Sequence, residues 1–564
     1  MKAILAALVA AVTLGLYFYG AHGFALADPD EARYGEIARE MRLSGDWTTP
    51  TLNGVIYLEK PPLVYWATAA SNLAFGPAEL ATRLPTVAAA LLTLLLAALL
   101  ARRLYDGRTA LLATAILAWG PLFGFLAIVL TLDMSLTACL TAAMGAVWCA
   151  WSGGGDRRWV RVAYAATALG ILVKGPVAAV LVGSATLLFV LTAGGWRALR
   201  PWLDWRALGL AAAIVLPWFL LVGWRNPGFW DYFIVDQHLH RYTSTKEHGE
   251  PFWYFAPVVL AGLMPWSLAL LFDPGLWRGA LDPRRWAPRT RFLVLWAGVI
   301  LGFFSLSISK LPTYALPALP PLALLVARAL LRGVEQGRTA GLRRAAWFLL
   351  VAGPVLGVVA ALLPHVSHHF RVPLLVPYLL AAAVPLAATG FATGRVLVAR
   401  RPYAALVVFA AGWLRNAAVA VGGREVASEY PHRPRARRPR RGTRPGDRLV
   451  LYHNFVQSMV FYSQRRGVMV GGAGEHLRLH ARAASRRGSG RATPCCTADS
   501  PAPATWCCSI AAEARLPPPH TSARRRSRSR PRTRRCWSRI GSRRARCLPR
   551  GAQRLCGNPR TELG

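Results

Sequence analysis

The sequence predicts an all-α polytopic membrane protein, a bundle of about 11–13 transmembrane helices with interfacial helices in the first outer loop. Three observations support this prediction. Of the 564 residues, 54% are hydrophobic and the mean hydropathy is +0.33, which is rare in a soluble globular chain of this length. Apolar runs long enough to cross a bilayer recur along the chain. Arginines cluster in every second gap between these runs, as the positive-inside rule requires.

The apolar runs predict thirteen spans, because a helix needs about 20 residues to cross the hydrocarbon core. Several runs are short or contain proline, which gives the predicted range of about 11–13 spans. The predicted spans are 3–22, 82–100, 109–129, 134–151, 160–173, 176–193, 207–223, 253–272, 291–308, 313–331, 345–363, 373–393 and 402–413.

The loops that follow the even-numbered spans carry the arginines and are predicted to be cytoplasmic, with the N-terminus inside. The opposite face then receives residues 23–81, the loop 224–252 and the short junctions near positions 133, 174 and 310. These segments contain most of the polar groups that the spans do not explain. The sequence therefore predicts a functional site on the outer face.

The first outer loop contains a group of charges at residues 28–36, which includes Asp30, Arg33 and Tyr34. Carboxylates beside a membrane exit can act as a general base, bind a metal or pair with the arginine. The alternative is an interfacial helix start with Asp30 as its N-cap. Further on, Glu59 and Lys60 precede two prolines, a rigid turn that presents both charges.

Two charged residues interrupt apolar segments, Asp133 at the mouth of a span and Lys174 before Gly175 and Pro176. A lone ionisable group in an apolar run is costly and is a functional-site candidate by default. Snorkelling to the interface is the alternative for Lys174. In the next outer loop, His238 is a candidate metal ligand or proton relay.

Lysine is rare in this chain, and its distribution opposes the positive-inside trend. Of the five lysines, four are predicted to be on the outer face: Lys60, Lys174, Lys246 and Lys310. An outer cavity lined by lysines and arginines suggests an anionic ligand, most simply a lipid phosphate.

Six motifs that occur in order on the outer face resemble the aminoarabinose transferase branch of the lipid-linked glycosyltransferases, which is related to the protein O-mannosyltransferases. The resemblance covers roughly residues 1–410. The motifs are Asp-Glu-x-Arg-Tyr from Asp30, Glu-Lys-Pro-Pro-Leu from Glu59, Asp133 at a span start, Leu-Val-Lys-Gly-Pro around Lys174, Glu-Pro-Phe-Trp-Tyr from Glu250 and Ser-Lys-Leu-Pro-Thr-Tyr ending at Tyr314.

The resemblance implies a GT-C fold, with a polyprenyl-phosphate sugar as donor and a lipid A-like acceptor on the periplasmic side of the inner membrane. It implies Asp30 and Asp133 as catalytic carboxylates and Tyr34 and Tyr314 as cavity-lining residues. Glu59 and His238 would be the ligands of a divalent metal, Zn or Mg, and no nucleotide cofactor is implied. The basic residues that would bind the donor phosphate are Arg33, Lys60, Lys174, Arg241 and Lys310.

The chain changes composition after the last predicted span. Residues 414–564 hold 33 of the 67 basic residues, all arginines, and 7 of the 26 acidic ones. We interpret 1–413 as the transmembrane glycosyltransferase domain, 414–446 as a basic segment with a hypothesised frame shift, and 447–475 as the remnant of a small outer-face α/β domain. The Arg/Pro/Ser/Cys-rich tail 476–564 is predicted to be disordered or out of frame.

Other functions remain open at this stage. A protein acceptor, as in O-mannosylation, fits the same motifs. A lipid or sugar transporter is a second class, although transporters place their polar groups near the midplane on repeated halves, and no internal repeat is evident. A basic arm that binds nucleic acid is disfavoured, since the tail is predicted to be on the outer side, where no nucleic acid partner is expected.

Overall fold

A computed structural model gives the structure of the chain and describes residues 2–22, 24–240, 249–273, 275, 286–366, 372–414, 448–452, 457–464, 466–470 and 505–508. All of these belong to one unit, Met1–Ser509. Helices dominate the described part, and its β-strands are short.

The first part of the bundle contains ten α-helices among the described residues. They are α1 (Lys2–Ala21), α2 (Asp30–Ser44), α3 (Leu63–Phe75), α4 (Glu79–Leu104), α5 (Gly107–Trp119), α6 (Pro121–Leu126), α7 (Leu132–Ser152), α8 (Arg157–Lys174), α9 (Val177–Gly194) and α10 (Trp205–Arg225). A 3₁₀ segment, Trp196–Trp202, precedes α10, and a π-helical segment, Asp231–His240, follows it.

The second part continues the bundle with shorter, proline-interrupted helices. They are α11 (Phe255–Gly262), α12 (Trp266–Leu271), α13 (Pro288–Leu306), the 3₁₀ segment Pro312–Ala318, α14 (Leu319–Glu335), α15 (Ala340–Val366), α16 (Val372–Val398) and α17 (Pro402–Leu414).

Every predicted span overlaps a helix, and nine helices in the described part are long and apolar enough to cross a membrane. The chain is therefore a multi-pass membrane protein. Two predicted spans are each divided in two: 109–129 between α5 and α6, and 253–272 between α11 and α12. Pro121 and Pro265 stand at these breaks, because proline has no N–H to continue the helical hydrogen bonds.

The loops predicted to be cytoplasmic contact one another at one end of the bundle. The guanidinium of Arg103 lies 5.2 Å from the centroid of the Trp159 ring. Arg289 and Arg328 both stack on the ring of Tyr105, at 5.3 and 5.7 Å. Segments predicted to share a side of the membrane therefore meet in space, as the span count requires.

At the other end of the bundle, α2 carries charged side chains that are nevertheless buried. The guanidinium of Arg39 donates two hydrogen bonds to Glu36, and its Nε lies 2.7 Å from Glu36 Oε2. Glu40 accepts a hydrogen bond of 2.6 Å from the Thr51 hydroxyl at a small antiparallel hairpin, β1 (Thr51–Leu52) and β2 (Val55–Ile56). These pairings let a polar helix pack against the membrane bundle.

Gly45, with φ +70°, ends α2 in the left-handed conformation that favours glycine.

A small α/β element follows the bundle. Strand β3 (Arg448–Tyr452) lies where the sequence predicts a strand, and helix α18 (Gln457–Ser463) follows it. Strands β4 (Gly467–Val470) and β5 (Thr505–Cys508) both pair with β3 in parallel. Strand β5 comes from the arginine-rich tail, and the predicted frame shifts stay predictions.

Candidate active site

Asp30 and Arg33 lie one turn apart at the start of α2, where the chain leaves the bundle. Arg33 Nη1 lies 3.7 Å from Asp30 Oδ1, and the two side chains are 11% and 54% exposed. Pro29 occupies the N-cap position, so Asp30 is the first helical residue and not the cap. The carboxylate therefore faces solvent beside a largely buried arginine.

Tyr34 is the buried side chain around which the charged groups of the site gather. Its ring centroid lies 5.8 Å from that of Tyr65. Burial raises the pKa of the Tyr34 phenol, the carboxylates of Asp30, Glu59 and Asp133 raise it further, and Arg33 opposes them. All four charged groups are therefore near one phenol, which stays neutral at physiological pH.

Glu59 and Lys60 lie on the segment between the β1–β2 hairpin and α3. Glu59 is buried and accepts a hydrogen bond of 3.0 Å from the Tyr57 hydroxyl. Lys60 is half-buried. Burial, followed by the charge of Glu59, raises the pKa of Tyr57 well above its usual value, so this phenol remains a proton donor to the carboxylate.

Asp133 and Lys174 form an ion pair, since the first turn of α7 packs against the last turn of α8. Their side chains are only 11% and 13% exposed. Lys174 Nζ also lies 4.4 Å from the centroid of the Tyr314 ring. The structure thus brings together three predicted site residues from distant parts of the chain.

Lys310 is buried, and its ammonium donates to two backbone carbonyls. Its Nζ lies 2.8 Å from the carbonyl oxygen of Glu250 and also bonds that of Ser307. An isolated β-bridge joins Gly249 to Ser309 beside it. Lys310 therefore holds the end of the loop 224–252 against the turn that precedes Tyr314.

Two predicted residues cannot be placed. Arg241 lies outside the described residues, and so does the side chain of His238, although its backbone belongs to the π-helical segment. Within the described ranges, His, Cys, Asp and Glu side chains form no group of three that could hold a metal ion. Of the two predicted metal ligands, Glu59 therefore has a described side chain and His238 does not.

Sequence reasoning missed the buried ion pair that fixes the site to the bundle. Arg83 of α4 donates from Nε to Glu31 Oε1 and from Nη2 to Glu31 Oε2, both at 2.7 Å. The same guanidinium donates to the carbonyls of Ala21, Phe24 and Ala25. A signal was present, because Arg83 is a charged residue at the outer end of the predicted span 82–100, where arginine is disfavoured.

Glu31 adds two further hydrogen bonds to this network. Its carboxylate accepts from the backbone N–H groups of Ala27 and Leu130, each at 2.8 Å. The pair therefore joins the end of α1, the loop before α2, α2 itself, α4 and the segment before α7. It sets the position of Asp30, its neighbour in the chain, relative to Asp133.

The arrangement combines the exposed carboxylate of Asp30 with the largely buried basic groups of Arg33 and Lys174. A carboxylate in contact with solvent can accept a proton from an incoming hydroxyl. Arginine and lysine groups shielded from water stabilise an anion more strongly than they do in bulk water. Both features suit a reaction in which an anionic group departs.

Comparison with known proteins supports this interpretation. The family model described as "Dolichyl-phosphate-mannose-protein mannosyltransferase" matches residues 2–233. An undecaprenyl phosphate-alpha-4-amino-4-deoxy-L-arabinose arabinosyl transferase of Pseudomonas aeruginosa is 37% identical over 323 residues. That match covers 56% of this chain and 57% of the relative, so the chain spans little more than half the length of the relative. A relative of the same name from Edwardsiella ictaluri is 36% identical over 333 residues, 58% of this chain and 60% of the relative.

A solved structure extends the similarity beyond these matches. The crystal structure of ArnT from Cupriavidus metallidurans bound to undecaprenyl phosphate superimposes with a TM-score of 0.72. It is 29% identical and covers 85% of this chain and 88% of that chain. The chain thus has the GT-C-type helical bundle that the sequence predicts and resembles the aminoarabinose transferases in both sequence and fold.

Proposed function

We propose that this chain is a glycosyltransferase that moves a sugar from a polyprenyl-phosphate donor to a lipid acceptor of the lipid A type. The observation that carries the proposal is the exposed carboxylate of Asp30 beside the largely buried cation of Arg33, with the Asp133–Lys174 ion pair near the same Tyr34 phenol. The similar ArnT structure binds undecaprenyl phosphate, and the names of the relatives specify a sugar linked to that same lipid phosphate.

In the proposed reaction, Asp30 accepts the proton of the acceptor hydroxyl as its oxygen attacks the anomeric carbon of the sugar. A new carbon–oxygen bond forms to the acceptor. The bond between the anomeric carbon and the phosphate oxygen breaks, and its electron pair leaves with the polyprenyl phosphate. No oxidant or nucleotide takes part.

The departing phosphate gains negative charge, so the basic groups have the larger energetic effect in the transition state. Arg33 lies beside Asp30, and we propose that it binds the departing phosphate together with Lys60. Lys174, which is held by Asp133 near Tyr34, is proposed to contribute a further positive charge. Lys310 and Arg241 are proposed to complete this set, with Tyr314 restraining Lys174.

We place the site on the periplasmic side of the inner membrane. The support is the asymmetry of the loops, since the ends of the bundle differ in their charged residues. Arginines that stack on aromatic rings lie at one end, and the group around Tyr34 gathers the carboxylates and lysines at the other.

The test is a transfer assay with the purified chain in detergent, a synthetic polyprenyl-phosphate sugar and either lipid A or a serine/threonine-rich peptide. The expected result is release of polyprenyl phosphate and a sugar-modified lipid A. Release of the donor phosphate only in the presence of the peptide would instead support a protein acceptor. No consumption of any polyprenyl-phosphate sugar would contradict the proposed function.

The protein acceptor is kept as a second candidate for one reason. The family model that matches residues 2–233 is described by transfer of mannose to protein. The group around Tyr34 falls largely within that range and would serve either acceptor, because the chemistry at the donor phosphate is the same.

A divalent metal, Zn or Mg, is proposed as an optional further group, with Glu59 and His238 as ligands. When bound, such a cation would add positive charge opposite the leaving phosphate. The described side chains include Glu59 alone of these two, so no step above depends on the metal. Metal analysis of the purified protein before and after chelation, with Glu59→Gln as the comparison, tests the proposal.

A further inference from the structure

The α/β element that follows the bundle touches the candidate site through its helix. Helix α18 packs against α2, with Phe461 in a buried cluster that also contains Leu26 and Ala32. Gly35 permits this approach, because a Cβ there would meet Phe461 at 3.2 Å and Leu26 at 3.1 Å. The helix therefore covers the face of α2 that is opposite to Asp30 and Arg33.

Hydrogen bonds at two points fix the helix to the loop before α2. The carboxylate of Asp28 accepts from the backbone N–H of Ser458 at 2.8 Å and also from the Ser458 hydroxyl. The Tyr462 hydroxyl accepts from the N–H of Leu26 at 2.7 Å and lies 3.2 Å from Glu79 Oε1, to which it can donate. The Tyr462 hydroxyl thus accepts one hydrogen bond and can donate another.

From these contacts we infer that Asp28 is a positioning residue, and that helix α18 holds the loop 24–29 so that Asp30 keeps its place against Arg33. This inference rests on the proposed function for its effect on turnover. Asp28 is two residues before Asp30. Leu26 and Asp28 bond to α18, and Ala27, between them, bonds to Glu31. Without the α18 contacts, the loop keeps its hydrogen bonds to Glu31 and to Arg83.

The variants are Asp28→Ala, Asp28→Asn, Ser458→Ala and Tyr462→Phe, each in the full chain. We expect kcat to fall about tenfold in Asp28→Ala with the donor KM unchanged, because a misplaced general base affects the chemical step more than donor binding. Asp28→Asn keeps one oxygen for the Ser458 N–H and is expected to recover most of the loss. Ser463→Ala is the matched control, since that hydroxyl bonds Val460 within the same helix.

Amide hydrogen exchange gives a readout that does not depend on activity. The N–H of Leu26 is expected to exchange at least about tenfold faster in Tyr462→Phe, whereas the amides inside α4 keep their protection. Ser463→Ala should leave the Leu26 amide unchanged.

The outcomes separate the two proposals. Faster exchange of Leu26 together with a lower kcat supports the positioning role. Unchanged exchange and unchanged kcat in Asp28→Ala and Tyr462→Phe would overturn it, as would a uniform loss of protection throughout the bundle. If the unaltered chain has no transferase activity, the proposed function fails, and the exchange of Leu26 still decides whether α18 holds the loop.

Discussion

Asp30 and Asp133 are the two carboxylates proposed to be catalytic, and their surroundings differ. Asp30 is 54% exposed and lies 3.7 Å from Arg33, whereas Asp133 is 11% exposed and ion-paired with Lys174. An exposed carboxylate is available to an acceptor hydroxyl, and a paired one is committed to its lysine. We therefore propose proton acceptance for Asp30 and orientation of Lys174 for Asp133.

The substitution Asp30→Asn tests the first role. We expect kcat to fall by about 10²–10⁴ with little change in the donor KM, because an amide cannot accept the proton. Transfer rates at saturating donor give the value. Asp46→Asn is the control, an exposed carboxylate on the same outer segment, and near-normal turnover of Asp30→Asn would remove Asp30 from the mechanism.

The pairing of Asp133 with Lys174 predicts strong non-additivity. In a double-mutant cycle with Asp133→Ala and Lys174→Ala, the double variant should lose little more kcat/KM than either single one, since each change disables the same unit. The exposed pair Arg225–Asp46, at 3.4 Å, supplies the control cycle, with an expected coupling of about 1 kcal/mol or less. Additive losses at Asp133 and Lys174 would show that they act independently.

At the scale of elements, the pair Glu31–Arg83 determines how α2 sits on the bundle. Both side chains are at most 1% exposed, and the guanidinium donates hydrogen bonds to Glu31 and to three backbone carbonyls within residues 21–25. A buried charge left without its partner is strongly destabilising, by about 3–5 kcal/mol. The pair is therefore a structural requirement for the site.

Arg83→Met is accordingly expected to lower the thermal stability of the detergent-solubilised protein by several degrees or to prevent its recovery in folded form. The cause is the unpaired Glu31 carboxylate in a buried position. Arg225→Met, which removes a 46% exposed arginine, should change the melting temperature little. Equal melting temperatures for the two variants would contradict the proposed importance of the buried pair.

The helical spans could be predicted from hydropathy, but their breaks and the buried charges of α2 could not. Length and apolar content determine whether a segment spans the membrane, so each predicted span falls on a helix. The position of α2 depends on partners far along the chain, such as Arg83, Leu130 and Ser458. No local pattern reports such pairings, and for this reason Glu31 and Asp28 were not predicted as site residues, whereas their neighbour Asp30 was predicted as a candidate.

At the scale of the whole molecule, the account depends on sidedness. Arginine–aromatic contacts gather the predicted inner loops at one end, and the candidate site is formed by segments predicted to be outside. The candidate site residues could be predicted from sequence because few charges occur among the apolar spans. That several of these residues lie together around Tyr34 could be learned only from the folded structure.

Cysteine labelling tests this sidedness directly. In a variant with the seven cysteines after position 494 replaced by serine, Leu43→Cys and Leu203→Cys introduce thiols at residues that are 61% and 84% exposed. A membrane-impermeant maleimide added to intact spheroplasts should label the first and not the second. Labelling of Leu203→Cys but not of Leu43→Cys would show the opposite orientation, with the proposed site on the cytoplasmic side.

The central claim is transfer of a sugar from a lipid phosphate to a lipid acceptor, and mass spectrometry of lipid A tests it most directly. Lipid A from cells that carry the gene should contain a species heavier by one sugar residue. That species should be absent from cells without the gene and from cells with Asp30→Asn. Identical lipid A spectra from all three strains would contradict the account.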